Sequence, residues 1–453
     1  MVVSIAMNMN KLFFKYGIYY PVTFLLGMNL NKYFDELSIS QRFTKEKLDE
    51  IKLSKLNTIL QYSKLNVSYY KRNLGKYSLK ELSEIQELPL IDKKIIRENR
   101  NKFKASKLNR NVMSKTTGGS TGAPVTIFKT KEATARELAA TWRGYHWANI
   151  GIGDRQARFW GVPHDKESKL KSHFIDFICN RYRCSAFAFS EKDLERYDRY
   201  LKMLKPKYFY GYVSMLVQFA EYYRNHGISC PHELRCIITT SEVLTDSDRK
   251  LLQDVFQCRV YNEYGCGEIG TIAHECEEGN LHINDENIIV EILDSNQRPV
   301  KVDEDGEIVV TELNNLAMPL IRYRIADYGS FSSKACKCGR KLTVLKDVKG
   351  RAYDFLINST GEMFHGEFFL YIMEDIKKKG ASLNGVQFVQ KNKNELDVRV
   401  VPGSGFINEH KNYIENRIRE KFDSKIKITF IEEPFIKREK SGKMRVVKRL
   451  FSQ

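Results

Sequence analysis

The chain has 453 residues, 42% hydrophobic and 29% charged, with a net charge of +18 and a pI of about 9.3. That length exceeds one ordinary core, so two or three folding units are expected, and the composition excludes a disordered or fibrous chain. No zinc-finger, recognition-helix or RNA-binding-sheet signature accompanies the charge, so no nucleic acid is expected as a partner, and the basic surface suits anionic substrates such as ATP or an anionic membrane face. Nine cysteines without a disulfide-scaffold pattern point to a reducing, cytoplasmic setting.

In chain order, Leu12 to Met28 is apolar and aromatic but interrupted by Lys15 and Pro21. It falls short of the ~20 apolar residues of a spanning helix. A segment lying on a surface or docked on the core is expected, with peripheral membrane contact left open. Residues 42–110 read as helical. Phe43, Leu48, Ile51, Leu56, Ile59 and Leu60 recur at near-helical spacing, and Asp92 is placed to cap a helix beginning at Lys93. From Lys93 to Lys115 nine basic residues face one acid, Glu98.

Next comes Thr116-Thr117-Gly118-Gly119-Ser120-Thr121-Gly122-Ala123-Pro124. Its glycines permit positive φ and close approach to a ligand, and its hydroxyls add neutral donors. Such a loop can cradle phosphate oxygens, although an ordinary Gly/Ser-rich turn has the same composition. Predicted strands follow at 125–128, 157–161, 208–212, 236–240 and 259–264, with a helix at 132–147 and further helices after the strands. That alternation implies parallel sheets with ligands at the C-terminal strand ends. From Leu281 to Leu313 short strands and turns suggest an antiparallel subdomain. Beyond Asp354 the pattern is a smaller α+β unit, with strands at 387–390, 395–401 and 425–431 and a helix at 408–422.

Five separated motifs then fall in one order. They are the loop 116–124, then Thr240-Ser241-Glu242 with Asn262-Glu263-Tyr264-Gly265-Cys266-Gly267-Glu268, Ile321-Arg322-Tyr323-Arg324-Ile325-Ala326-Asp327, Lys349-Gly350-Arg351-Ala352-Tyr353-Asp354, and Lys440-Ser441-Gly442-Lys443-Met444-Arg445. The set resembles the adenylate-forming superfamily of acyl-CoA synthetases. Within it the chain is similar to the phenylacetate-CoA ligase-like branch that includes the CapK-like proteins of capsular polysaccharide clusters.

The resemblance implies an α/β fold. A large N-terminal α/β domain (1–353, with a helical segment over about 1–110) would have mostly parallel sheets and a small antiparallel subdomain. A small mobile C-terminal α+β lid (354–453) would complete it. The implied reaction joins a carboxylic acid to the α-phosphate of ATP, expels pyrophosphate, and passes the acyl group to a thiol such as coenzyme A. An amine or hydroxyl acceptor in surface-polysaccharide or secondary-metabolite biosynthesis is the alternative.

By the same resemblance Thr116, Thr117, Gly118, Gly119, Ser120, Thr121 and Gly122 would hold the phosphates. Tyr264 and Gly265 would take the adenine, whose edge the backbone of Ser241 and Glu242 would line. Glu268 would hold Mg²⁺, Asp327 the ribose hydroxyls, Arg351 the ribose or phosphate, and Lys443 the α-phosphate and substrate carboxylate. One position departs from the pattern: Tyr353 stands where relatives usually carry the Asp or Lys hinge.

A second constellation is Cys276, His282, Cys336 and Cys338. Three thiolates and one imidazole complete a tetrahedral zinc set, with free buried cysteines as the alternative. The resembled branch carries a comparable set, which implies structural Zn²⁺. The acid pocket is less legible. Trp160, His164, Tyr210 and Gly211 lie in aromatic stretches ending predicted strands, where they could wall a carboxylate or simply fill a core.

Overall fold

The computed structural model describes residues 11–107, 112–116, 125–161, 166–186, 190–230, 234–351, 355–361, 363–365, 367–381, 383–437 and 444–451. Near the start of the described residues a π-helical stretch, Phe13–Tyr19, runs into a helix, Tyr20–Leu25. Helices α1 (Leu30–Ser40) and α2 (Lys45–Asn66) follow, the latter capped by the Thr44 hydroxyl, which accepts from the Lys47 amide. Asp92 caps the short helix Lys93–Glu98 as expected, its carboxylate accepting from the Ile95 amide at 2.7 Å.

Strands β1 (Val112–Thr116) and β2 (Thr126–Thr130) form an antiparallel pair with Thr116 opposite Thr126, so the glycine loop joins the two strands. Thr130 then caps α3 (Lys131–Trp147). The parallel strands come next: β3 (Gln156–Trp160), β4 (Arg181–Ser185), β5 (Tyr208–Tyr212), β6 (Cys236–Thr240) and β7 (Arg259–Cys266). Between them lie α4 (Lys166–Ile178), α5 (Glu191–Leu204), α6 (Val213–Asn225) and α7 (Asp246–Phe256). Every residue of β5 and β6 is buried, as a parallel strand covered on both faces requires. Tyr208 and Tyr210 pack in the cluster that includes α3, whereas Phe209 packs with α6 and α7.

After β7 the chain turns antiparallel through β8 (Gly270–Glu275), β9 (Leu281–Ile283), β10 (Ile288–Leu293), β11 (Gly306–Glu312), β12 (Tyr323–Phe331) and β13 (Val344–Arg351). The sequence suggested an antiparallel subdomain here, and these strands do pair antiparallel. In the structure these strands continue the parallel ones edge to edge, giving an 11-stranded sheet of order β10-β11-β12-β13-β9-β8-β7-β6-β5-β3-β4. The join is the hairpin-like turn from β7 to β8, which pairs Tyr264 with Ala273.

Residues 355–451 build their own core around Phe369, Phe388, Val398 and Ile414. It combines β14 (Phe355–Ile357), β15 (Met363–His365), α8 (Glu367–Lys378), β16 (Leu383–Asn392), β17 (Glu395–Pro402), α9 (Asn408–Lys421), β18 (Lys427–Glu432) and β19 (Val447–Arg449). The last strand returns to pair in parallel with β16.

Candidate active site

The segment 91–93 is pinned to the start of β12. Ile91 donates to the Arg322 carbonyl at 3.0 Å and Arg324 donates back to the Ile91 carbonyl at 2.8 Å. The Arg322 guanidinium locks the corner from beneath. Itself buried, it grips both oxygens of buried Glu291 and the carbonyls of Gln86 and Leu88. This anchoring carries Lys93 to Glu268, with Nζ 3.2 Å from the carboxylate. Part of the basic run before the glycine loop is therefore committed to an ion pair at the expected metal-binding acid.

Tyr264 and Asp327, 63 residues apart, meet directly: the phenol donates to Asp327 Oδ2 at 2.9 Å, and both residues are more than nine-tenths buried. The second and third motifs thus share one place. Asp327 lies opposite Arg351 across the β12–β13 pair, which brings the backbone of the fourth motif alongside. Three non-glycine residues in these motifs hold left-handed backbone: Ser241 (φ 69°), Arg322 (φ 50°) and Ala326 (φ 62°). Such conformations cost of order 1–3 kcal/mol each and persist only where the surroundings enforce them, which is common at ligand sites.

Glu242 has a partner the sequence did not suggest. Its Oε2 accepts from the Ser214 amide at 2.7 Å, in the first turn of α6, and its Oε1 accepts from the Ser214 hydroxyl at 3.1 Å. The same Oε1 accepts from the Met444 amide at 2.9 Å, across 202 residues. Lys377 on α8 reaches Asp248 on α7 at 2.5 Å. These two contacts set the C-terminal unit against the C-terminal end of β6.

Beside Tyr264, on the α3 side of the sheet, lies a buried polar cluster. Glu263 accepts from the Tyr210 hydroxyl at 2.9 Å and the Thr240 hydroxyl at 3.4 Å, both at Oε1. Its Oε2 has no hydrogen bond among the described residues, and His274 Nδ1 stands 4.0 Å away. Burial pushes the Glu263 carboxyl up, against the hydrogen bonds it accepts and the nearby Arg158. Burial, aided by Arg143, holds the His274 imidazole down at about 3. His274 is pressed against α3, where a Cβ on Gly144 would fall 2.2 Å from its ring.

Trp160 stacks on Tyr210 at 5.7 Å, and the Arg158 guanidinium lies 4.5 Å from both rings. Gly211 is required by packing, because a Cβ there would meet the Phe159 carbonyl at 2.4 Å. The sequence reading placed Trp160, Tyr210 and Gly211 here but missed Glu263 and Arg158. A charged residue two positions from Tyr261 in a strand otherwise fit for burial was the available signal.

Cys276, His282, Cys336 and Cys338 converge with all four ligand atoms within 4.8 Å of one another. Cys276 Sγ lies 3.6 Å from Cys336 Sγ, and Cys338 Sγ lies 3.3 Å from His282 Nε2. Tetrahedral zinc with ordinary bond lengths has edges of ~3.7 Å between sulfurs and ~3.6 Å from sulfur to nitrogen. His282 Nδ1 lies 3.2 Å from the Leu342 carbonyl, which leaves Nε2 facing the thiols. The residues fit the ion.

Some expected site residues lie outside the described residues: Thr117, Gly118, Gly119, Ser120, Thr121, Gly122, His164, Tyr353 and Lys443. For Thr116 and Arg351 the backbone alone is described.

Comparisons with known proteins agree with this picture. Residues 356–450 match the CapK C-terminal domain model. Protein CapK of Staphylococcus aureus is 25% identical over 71% of this chain and 74% of its own. A phenylacetate-coenzyme A ligase of Thermus thermophilus is 32% identical over 30% of this chain and 32% of its own. Among solved structures, 2-hydroxyisobutyryl-CoA ligase in the postadenylation state, in complex with R3-HIB-AMP, superposes with a TM-score of 0.73 at 18% identity, covering 90% of both chains. The same ligase in its thioesterification state gives 0.56 over 90% of this chain and 91% of its own. Residues 356–450 thus carry a CapK C-terminal domain, and the chain is similar to CapK and the phenylacetate-coenzyme A ligases and shares the fold of 2-hydroxyisobutyryl-CoA ligase.

Proposed function

We propose that the chain activates a carboxylic acid as acyl-AMP and then hands the acyl group to a thiol, coenzyme A being the first candidate. In the first step a carboxylate oxygen attacks the α-phosphorus of ATP and the bond to the bridging oxygen of pyrophosphate breaks. In the second a thiol sulfur bonds the acyl carbon, AMP leaves, and the thiol proton passes to solvent. The supporting observation is the bond from Met444 to Glu242. It brings the residue next to Lys443 to the motif expected at the nucleotide, where a cation stabilises charge moving onto the departing phosphates.

Tyr264 and Asp327 would release one another to take adenine and ribose. A carboxylate with two oxygens is suited to two neighbouring hydroxyls. The 116–122 loop would hold the outer phosphates. Glu268 would hold a Mg²⁺ through its hard oxygens, an ion that would supply positive charge against the phosphates, and Lys93 pairs with that carboxylate. The acid would lie against Trp160, Tyr210 and Glu263. Zn²⁺ on the Cys276 cluster would be structural, since four protein ligands leave no open position for chemistry.

The boundary near 353–354 would let the C-terminal unit turn between the two steps. The test of the whole reading is pyrophosphate exchange over a panel of carboxylic acids. Exchange with at least one acid is expected, and a folded protein that neither binds ATP nor exchanges with any acid refutes the reading. The CapK C-terminal domain match favours a second reading, in which the acceptor is an amine or hydroxyl of a surface polysaccharide precursor. A thiol trap that stays empty while acyl-AMP accumulates would favour it.

A further inference from the structure

The N-terminal aromatic segment is firmly attached yet shows an apolar face to solvent. Phe14 and Tyr19 are buried, and the Tyr19 hydroxyl accepts from Trp142 Nε1 at 2.9 Å. Lys11 pairs with Asp154 at 2.6 Å. On the outer side Phe13, Tyr16, Phe24 and Leu25 are 50%, 59%, 73% and 82% exposed. The patch does not stop there. Phe14 packs edge-on against Phe177 of α4, with ring centroids 6.2 Å apart. On α4, Leu170 and Phe174, one helical turn apart, are 74% and 62% exposed. Two neighbouring elements, joined through Phe14 and Phe177, therefore both hold large apolar side chains out to solvent.

Its charged residues have one dominant sign. Residues 11–28 and 170–178 contain Lys11, Lys15 and Lys171 against Asp176 as the one acid. Asp176 is turned inward and gripped by Arg181 and Arg183. Lys15 lies 4.9 Å from the Tyr16 ring, an ammonium over an exposed aromatic. The core of a protein–protein contact is depleted in lysine. Exposed Phe, Leu and Tyr beside lysines is instead the composition of a face that enters a lipid headgroup layer. No helix among the described residues is long and apolar enough to cross a membrane.

We propose that this face docks the protein on an anionic bilayer, with Phe13, Phe24, Leu25 and Phe174 entering the interface and Lys15 and Lys171 meeting headgroup phosphates. The test is co-sedimentation of the full chain with vesicles of phosphatidylcholine alone or with about 30% phosphatidylglycerol. Binding to the anionic vesicles is expected, weakened at high salt. The Phe24→Ser/Leu25→Ser and Leu170→Ser/Phe174→Ser variants should each reduce it about tenfold or more without changing the melting temperature, since these side chains are exposed. Wild-type protein that stays in the supernatant with anionic vesicles overturns the proposal. So does undiminished binding by both variants, or a vesicle-free dimer that the same substitutions dissociate, which would make the occupant a second copy of the chain.

Discussion

Glu242 gives a way to test whether the two units work as a closing pair. Its carboxylate holds Met444 at 2.9 Å and Ser214 at 2.7 and 3.1 Å. The Ser214 bonds lie wholly within the large unit, so they are present in every orientation of the small one. The Met444 bond exists in the docked orientation alone. Glu242→Ala therefore removes one hydrogen bond to a charged acceptor from the docked state, worth ~1.5–3 kcal/mol. That lowers the ratio of docked to undocked molecules by about 10–100-fold. Ser214→Ala is the control, because it weakens the local cap and leaves Met444 its acceptor.

Amide exchange in the peptide spanning 444–449, measured without nucleotide, reads the docking directly. Single-turnover pyrophosphate release reads its consequence. Glu242→Ala should speed exchange and slow acyl-AMP formation, while thioester formation from supplied acyl-AMP changes by less than about threefold. Exchange equal to wild type, or equal slowing of both steps, would refute the reasoning.

Lys443→Ala should reduce pyrophosphate exchange by ~10²–10³ with the melting temperature unchanged, and exchange at wild-type speed would remove that lysine from the chemistry. Cys336→Ser should bring zinc from about one per chain to near zero. Metal bonding closes the 60-residue span from Cys276 to Cys336, which loop-closure entropy values at ~4 kcal/mol. A fall in melting temperature of about 10 °C should follow, and zinc-free protein with an unchanged melt would contradict the site. Acid should expose His274. Its native pKa of about 3 lies below the ordinary 6.5, so it stays neutral when folded and takes a proton when unfolded. The stability it contributes is present above pH 6.5 and lost as pH falls toward 3, by at most ~5 kcal/mol. Denaturant midpoints for His274→Phe should be flatter than wild type over that window, and parallel curves would count against the burial argument.

Much of the scaffold was legible because it is written in local chemistry. The strands at 208–212 and 236–240 are short apolar runs that parallel pairing buries on both faces, and they occur at the expected residues. Asp92 reads as a cap and acts as one. The four metal-ligand candidates also converge. What the sequence hid is long-range pairing. Nothing local says that Lys93 meets Glu268 or that Tyr264 meets Asp327, since each pair forms through strands distant in sequence. Glu242 was read through its backbone at a nucleotide edge, whereas its carboxylate binds a helix start and the distant tail. The antiparallel strands were recognised as a change of texture, but texture does not say whether a new sheet starts or the old one continues.

The docked arrangement also suggests why release is feasible. Polar contacts that link the units include Met444 to Glu242 and Lys377 to Asp248. Both acids lie between the end of β6 and the first turn of α7, six positions apart in sequence, so the small unit leans on one short stretch of the large one. A hinge at 353–354 would break these bonds together and leave both hydrophobic cores intact, because the cluster over 356–447 draws on its own residues alone. Breaking one or two such bonds costs a few kcal/mol, within reach of the microsecond-to-millisecond domain motions of many enzymes. The superpositions fit that view. The chain matches a fold relative better in its postadenylation state, at 0.73, than in its thioesterification state, at 0.56, over the same share of this chain. The docked orientation is the one shared with that postadenylation structure, and under the proposed two-step reaction the Met444 bond is the contact whose loss would free the small unit for the second step.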